Sequence, residues 1–183
     1  FSPGKGPGIF EIGDHKLALT VCGDIWHTKA VRQASRRGAD LILNLNASPF
    51  HLNKLKERKE LISSHSKKYK LPIVYINQVG GQDELVFDGT SMIMDKNGQQ
   101  PVQLKKFDSE SRIIKFKKSG ESGLDILDSD KLQEENELED VYKALVLGAK
   151  DYIEKNGFPG VLIGSSGGID SALTATIAAD AIG

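Results

Sequence analysis

Short apolar runs alternate along the chain with polar, turn-forming stretches, and the period of the apolar positions sorts them into elements. Ile9 to Ile12 and Lys16 to Val21 flank Gly13-Asp14, which predicts two strands joined by a tight turn. Thr28 to Arg37 predicts a helix, with Thr28 at the N-cap and Gly38 as the stop. Leu41 to Leu45 suits a buried strand. Asn53 is placed to cap a long helix that runs to Lys70 and ends before Pro72. Ile73 to Asn77 is the next strand, and Gly80-Gly81 then opens QDELVFDG, which reads as a polar loop.

From Thr90 the period changes. Thr90 to Met94, Val102 to Phe107 and Ile113 to Phe116 are predicted strands, separated by the turn Asp95-Lys96-Asn97-Gly98 and by Asp108 to Ser111. Strand, helix, strand, helix, strand, then a meander, predicts a layered α/β domain. The pattern breaks at Ser119-Gly120. Through Glu135 the acidic stretch SGESGLDILDSDKLQEE reads as an interdomain linker. A second unit is expected from Asn136, where Leu138, Val141, Tyr142, Leu145 and Ala149 recur at helical spacing. Gly157-Phe158-Pro159 ends that helix. Val161 to Ile163 is then a buried-strand candidate, followed by GSSGGIDS and another helical run. The expected division is therefore 1–118, a linker at 119–135, and 136–183.

Length and charge narrow this further. A chain of 183 residues holds one domain, or one domain and the start of another. With 24 Lys+Arg against 25 Asp+Glu it has no basic excess for a nucleic-acid partner. KLKERKE and HSKKYK share a helix with Leu55, Leu61 and Ile62 and read as its solvated face. Cys22 is the single cysteine, so no internal disulfide or cysteine zinc cluster is expected, and a reducing, cytoplasmic setting is. No apolar run approaches the ~20 residues of a membrane span, so no membrane partner is expected. The chain does not begin with Met, opens in FSPGKGPG and stops within the helical run ALTATIAADAIG. It reads as a piece of something longer.

Two places carry chemistry. Gly164 to Ser171 lies after an apolar run and before a helix, where backbone N–H groups and the helix dipole favour an anion. Adjacent glycines allow close approach of a phosphate, Ser166 and Ser171 add hydroxyl donors, and Asp170 suits a magnesium ion beside it. No Lys follows the second glycine, so this is not a Walker loop. An ordinary strand-to-helix turn is the plain alternative. Cys22, at the end of KLALTV and before Gly-Asp-Ile-Trp, suits either a small buried hydrophobe or a nucleophile. The second role needs an activating base, because a free thiol with a pKa of ~8.5 is mostly protonated at neutral pH.

The string Ser166 to Ser171, S-G-G-I-D-S, resembles the pyrophosphate-binding loop of the N-type ATP pyrophosphatases. LTVCGDIW, ADLILNLNASPF and LPIVYINQVGGQDELVFDGTSMIMD are similar to successive pieces of the carbon–nitrogen hydrolase (nitrilase-like) fold. Asn77 to Gly89, NQVGGQDELVFDG, resembles the glutaminase domain of the glutamine-dependent NAD synthetases, and the order of segments fits that family over the whole chain. The resemblance implies an α-β-β-α sandwich followed by the start of a Rossmann-like ATP pyrophosphatase domain. It implies that Cys22 attacks the amide of glutamine, releasing ammonia and leaving a glutamyl thioester that water hydrolyses. Ammonia would pass to a second site, where ATP and Mg2+ adenylate deamido-NAD, giving NAD, AMP and pyrophosphate. Trp26 and Ser48 would line the glutamine pocket. Ser166, Gly167, Gly168, Asp170 and Ser171 would bind ATP, with Asp170 on the magnesium, and the complete enzyme would be a homo-oligomer.

The resemblance also implies a glutamate base and an oxyanion lysine, both from segments before the cysteine. Lys5, Glu11 and Lys16 precede Cys22 and sit in no matching motif. Both groups are therefore expected outside this sequence, and the 183 residues alone are expected neither to hydrolyse glutamine nor to bind ATP measurably. Family members usually carry an acidic residue after the cysteine, whereas Gly23 stands there, and an extended segment would point Asp24 elsewhere. Asp83 and Glu84 read as surface carboxylates, although Glu84 suits a role in ordering the loop beside the pocket. His15, His27, His51 and His65 lack ligand spacing. The competing readings are a stand-alone nitrilase-type amidase and a non-catalytic interaction module.

Overall fold

The computed structural model describes residues 4–120, 123–130 and 136–183. Its centre is a six-stranded mixed sheet in the order β1-β2-β3-β4-β7-β8. The first pair, β1 (Gly8–Ile12) and β2 (His15–Val21), is antiparallel. Strand β3 (Leu41–Asn46) lies parallel between β2 and β4 (Ile73–Asn77). Two short antiparallel strands, β7 (Met92–Met94) and β8 (Val102–Gln103), finish the sheet. The parallel crossovers carry α1 (Thr28–Arg36) and α2 (Lys54–Tyr69), as the alternation of strand and helix predicts.

Period-2 alternation decides which side chains face these helices. Ala18, Ile42, Ile73, Tyr75, Met92 and Met94 point to one face and pack with Ile25, Val31, Ala34 and Ile62. Fully burying an aliphatic side chain of this size stabilises by about 1.5–3 kcal/mol, so this layer holds the domain together. Leu17, Leu41, Leu43 and Val74 point to the other face, where Leu124 and Phe116 cover part of them. Further along that face Val21 is 58%, Leu45 42% and Ile76 42% exposed, although the three stand side by side across β2, β3 and β4. A sheet apolar on both faces is the inner layer of a sandwich, in which a second sheet packs on the open side.

Several local expectations change. His27, not Thr28, occupies the N-cap of α1, because a short 3-10 helix (Cys22–Trp26) runs up to it. Asn53 does precede α2, but in a left-handed conformation (φ 64°) and without a side-chain cap bond. QDELVFDG is not a polar loop. Its apolar Leu85, Val86 and Phe87 form β6 (Leu85–Asp88), which folds back on β5 (Val79–Gln82) about a tight turn at Asp83-Glu84. The predicted strand from Val102 is regular only to Gln103, although antiparallel backbone bonds to residues 88–91 continue to Phe107, and Ile113 is 87% exposed. Strand β9 (Phe116–Lys118) instead pairs with β10 (Leu124–Ile126), which lies within the stretch read as linker. Residues 121–122 and 131–135 of that stretch, and 1–3 of the opening loop, lie outside the described residues.

The second unit begins as predicted. Asn136 Oδ1 accepts from the Glu139 N–H at 3.3 Å and caps α3 (Glu137–Lys155), which packs on α4 (Ile169–Ile182) and on the β5–β6 hairpin. Val161–Ile163 forms no strand, and Leu162 is fully exposed. An apolar run becomes a strand only beside a partner for its N–H and C=O groups, and none of the described residues pairs with it.

Candidate functional site

The parallel strands β2, β3 and β4 all end on one side of the sheet, the usual place for a site in such sheets. Cys22 follows β2 directly and opens the 3-10 helix in a left-handed conformation, φ 42°. For a residue with a Cβ that conformation costs roughly 1–2 kcal/mol. The surroundings hold it. Asp24 Oδ2 accepts from the Val21 N–H at 2.9 Å, closing the turn around the cysteine, and Ile25 is buried in the core. His65 Nε2, from α2, donates to the Ile25 carbonyl at 2.9 Å. Burial pushes the His65 pKa below its ordinary value, against the bond to the Ile25 carbonyl, and Lys68 works in the same direction as burial. Gly23 is exposed, and a Cβ there would meet nothing within 4 Å.

Ser48, two residues past β3, is buried and fixed on every polar atom. Its N–H donates to Asn77 Oδ1 at 2.8 Å, and its carbonyl accepts from Asn77 Nδ2 at 3.1 Å and Arg58 Nη2 at 2.8 Å. Its hydroxyl accepts from Arg58 Nε at 3.2 Å. Arg58 is 1% exposed and reaches both carboxylate oxygens of buried Asp88 at 2.9 Å, while Thr90 Oγ1 donates to the same carboxylate at 2.7 Å. Arg58 is therefore not on the solvated face of its helix. It lies on the inward stripe with Leu55, Ile62 and His65, and that spacing is the signal that could have exposed it. A charge removed from water needs a partner, which Asp88 supplies from the hairpin that was read as a loop.

Tyr75 lies under the same corner, 1% exposed, with its hydroxyl beside that of Ser48. Burial raises its pKa, against the pull of the Arg58 charge. Trp26 ends the 3-10 helix half-buried, with Lys54 Nζ 4.0 Å from its ring centroid. Glu11 and Lys16 face each other across β1 and β2 at 3.8 Å, at the far end of β2. At about 3.3 Å per residue, that places Lys16 roughly 20 Å from Cys22. Lys5 precedes β1 on the Cys22 side and is exposed. Asp83 and Glu84 form the exposed tip of the hairpin, as expected of surface carboxylates.

The Gly164–Ser171 loop is held by its own atoms. Ser171 Oγ donates to the Gly168 carbonyl at 2.9 Å and accepts from the Ser166 N–H at 3.3 Å. Gly167 takes φ 81°, which favours glycine, and Gly168 caps α4. The first N–H groups of a 14-residue helix have no intrahelical partner and face this loop. With two hydroxyls and the Asp170 carboxylate in the first turn, the donor set fits a polyphosphate with a magnesium held mainly by phosphate oxygens. Among the described residues no group of three side chains could hold a metal alone.

Known proteins carry the same order. The carbon-nitrogen hydrolase family matches residues 1–115, and NAD synthase matches residues 141–183. The glutamine-dependent NAD(+) synthetase of Acinetobacter baylyi is 40% identical over 183 residues, 100% of this chain and 33% of that protein. Its counterpart from Aquifex aeolicus is 35% identical, covering 100% of this chain and 37% of that protein. The chain thus spans about a third of the length of the curated relatives it matches. Among solved structures, the glutamine-dependent NAD+ synthetase of Acinetobacter baumannii in complex with ADP superposes with a TM-score of 0.91 at 41% identity, over 100% of this chain and 34% of that one. An amidase from Nesterenkonia sp. matches 57% of this chain and 40% of its own, with a TM-score of 0.50 at 30% identity. The full-length alignment disfavours a stand-alone amidase. The chain belongs to the carbon-nitrogen hydrolase family and runs on into an NAD synthase domain, in the manner of the glutamine-dependent NAD(+) synthetases.

Proposed function

We propose that the chain serves a glutamine-dependent NAD synthetase, in which Cys22 releases ammonia from glutamine and the Gly164–Ser171 loop takes part in the ATP-dependent amidation of deamido-NAD. The observation that carries this is the pairing, on one chain, of a strand-end cysteine in a strained turn with a downstream S-G-G-I-D-S loop. The Cys22 sulfur attacks the side-chain amide carbon, and the C–N bond breaks as ammonia leaves with a proton from the base. Water then hydrolyses the glutamyl thioester. The Gly23 N–H is placed to donate to the oxyanion, because it directly follows the nucleophile at the start of the turn. Trp26 and Ser48 line the glutamine pocket in this proposal, and the base and oxyanion lysine come from residues outside this sequence. The remoteness of Glu11 and Lys16 from Cys22 supports that assignment.

In the second unit Ser166, Gly167, Gly168 and Ser171 cradle the ATP phosphates and Asp170 holds Mg2+, which supplies charge neutralisation when bound. Residues 1–118 form the end of the glutaminase domain, 119–135 the connection, and 136–183 the beginning of the synthetase domain. We place the enzyme in the cytoplasm, as a homo-oligomer, with glutamine, deamido-NAD and ATP as its partners and neither nucleic acid nor membrane among them. No described helix is long and apolar enough to cross a membrane. The test is product analysis of a protein carrying this sequence at the length of its relatives, supplied with glutamine, ATP and deamido-NAD. NAD, AMP and pyrophosphate in equal amounts are expected. Glutamate formed without NAD would contradict the ligase and favour a plain amidase.

A further inference from the structure

The first helix of the second unit grips the first unit at one backbone position. Strand β5 is the edge of its hairpin, so Gly81 turns its free N–H and C=O away from β6 and toward α3. Asp151 Oδ2 accepts from that N–H at 2.6 Å, and Lys155 Nζ donates to that carbonyl at 2.6 Å. The two side chains are themselves paired at 2.9 Å. The approach needs glycine on both sides. A Cβ on Gly81 would lie 3.1 Å from Gly148 Cα, and one on Gly148 would lie 3.0 Å from Val86 Cγ2. A second tie, Lys106 to Asp140 at 2.6 Å, fixes the other end of α3.

The gripped hairpin is the element that holds the Ser48 loop. Val86, directly across the ladder from Gly81, accepts from the Phe50 N–H at 2.7 Å. Asp88, at the end of the same strand, holds Arg58, and Arg58 holds the Ser48 and Pro49 carbonyls. From Asp151 to Phe50 there are thus two hydrogen bonds and one strand ladder, with no flexible side chain between them.

We infer that Asp151 and Lys155 are positioning residues, which set the Ser48–Phe50 loop of the first unit from a helix of the second. The coupling itself is geometric, and its meaning for glutamine rests on the assignment of Ser48 proposed above. The same helix also packs on α4, which follows the Gly164–Ser171 loop.

The test is site-resolved amide exchange on the 183-residue chain, without glutamine or ATP, so its outcome does not depend on the proposed reaction. Asp151→Ala is expected to speed exchange at both Gly81 and Phe50 about ten-fold, the loss of a charge-assisted bond, while Ile42 in the core keeps its rate. Lys155→Arg, which retains a donor for the Gly81 carbonyl, is expected to leave protection at both positions unchanged. Faster exchange at Gly81 with Phe50 unchanged would overturn the inference. Should Asp151→Ala loosen Ile42 as well, Asp151→Asn, which keeps an acceptor for the Gly81 N–H but loses the charge, decides: a smaller acceleration shared by Gly81 and Phe50 supports the inference, and one confined to Gly81 overturns it.

Discussion

The loop at Ser48 and the loop at Ser166 differ in what holds them. Around Ser48 the bonds are long-range and buried: Asn77 is 29 residues away, and Arg58 and Asp88 are 30 residues apart. Around Ser166 every bond spans five residues or fewer and is exposed. A pocket that must present a nucleophile beside a polar substrate needs atoms fixed by the whole fold, because a buried polar network is satisfied in one arrangement only. A phosphate cradle needs mainly backbone N–H groups and a helix end, which a few adjacent residues supply. The residues bonded around Cys22 and Ser48 therefore come from scattered positions between 21 and 90, whereas those around Ser166 lie within one short string.

The largest effect that would break this contrast comes from its two aspartates. Asp88→Ala leaves the Arg58 guanidinium buried without a charged partner and is expected to destabilise the first unit by about 3–5 kcal/mol, read from urea unfolding followed at Trp26, the single tryptophan. Asp170→Ala, exposed in the first turn of α4, is expected to stay within about 0.5 kcal/mol by circular dichroism. Equal losses would show that the two sites are supported alike.

Acidification comes next. The folded-state pKa of His65 lies below its ordinary 6.5 because the ring is buried, so the unfolded chain takes up the proton first. The stability this neutral imidazole allows is present above pH 6.5 and falls as pH drops from there toward the lower folded value. His65→Gln keeps a donor for the Ile25 carbonyl and should flatten that slope in the unfolding midpoint. An unchanged slope would remove His65 from the account of the Cys22 turn. The smallest effect belongs to Gly23→Ala, where the added methyl meets nothing: the thermal midpoint should move by an amount equivalent to less than about 0.5 kcal/mol.

What the sequence revealed follows the same divide. The β1–β2 hairpin, α1, β3, α2, β4 and the start of α3 were legible because each declares itself by local period and turn residues. The S-G-G-I-D-S loop was legible as a string, and Cys22 by its place at a strand end. Arg58 was hidden inside KLKERKE, because a charged residue on an inward stripe becomes intelligible only when its partner, Asp88, is known to lie opposite. The β5–β6 hairpin was hidden by Gly80-Gly81, which reads as loop until the closeness of Asp151 to Gly80 and of Gly148 to Gly81 explains why those positions lack side chains. Val161–Ile163 misled in the other direction, since apolar character alone does not make a strand without a neighbour.

The proposal that Cys22 supplies ammonia to a separate amidation site is tested most directly by one substitution in a protein carrying this sequence at the length of its relatives. With Cys22→Ala, NAD formation is measured with glutamine and, separately, with ammonium as the nitrogen source. The account predicts that glutamine no longer supports NAD formation while ammonium supports it at the unsubstituted rate. Retention of the glutamine-supported rate would contradict it, because Cys22 would then not be the nucleophile.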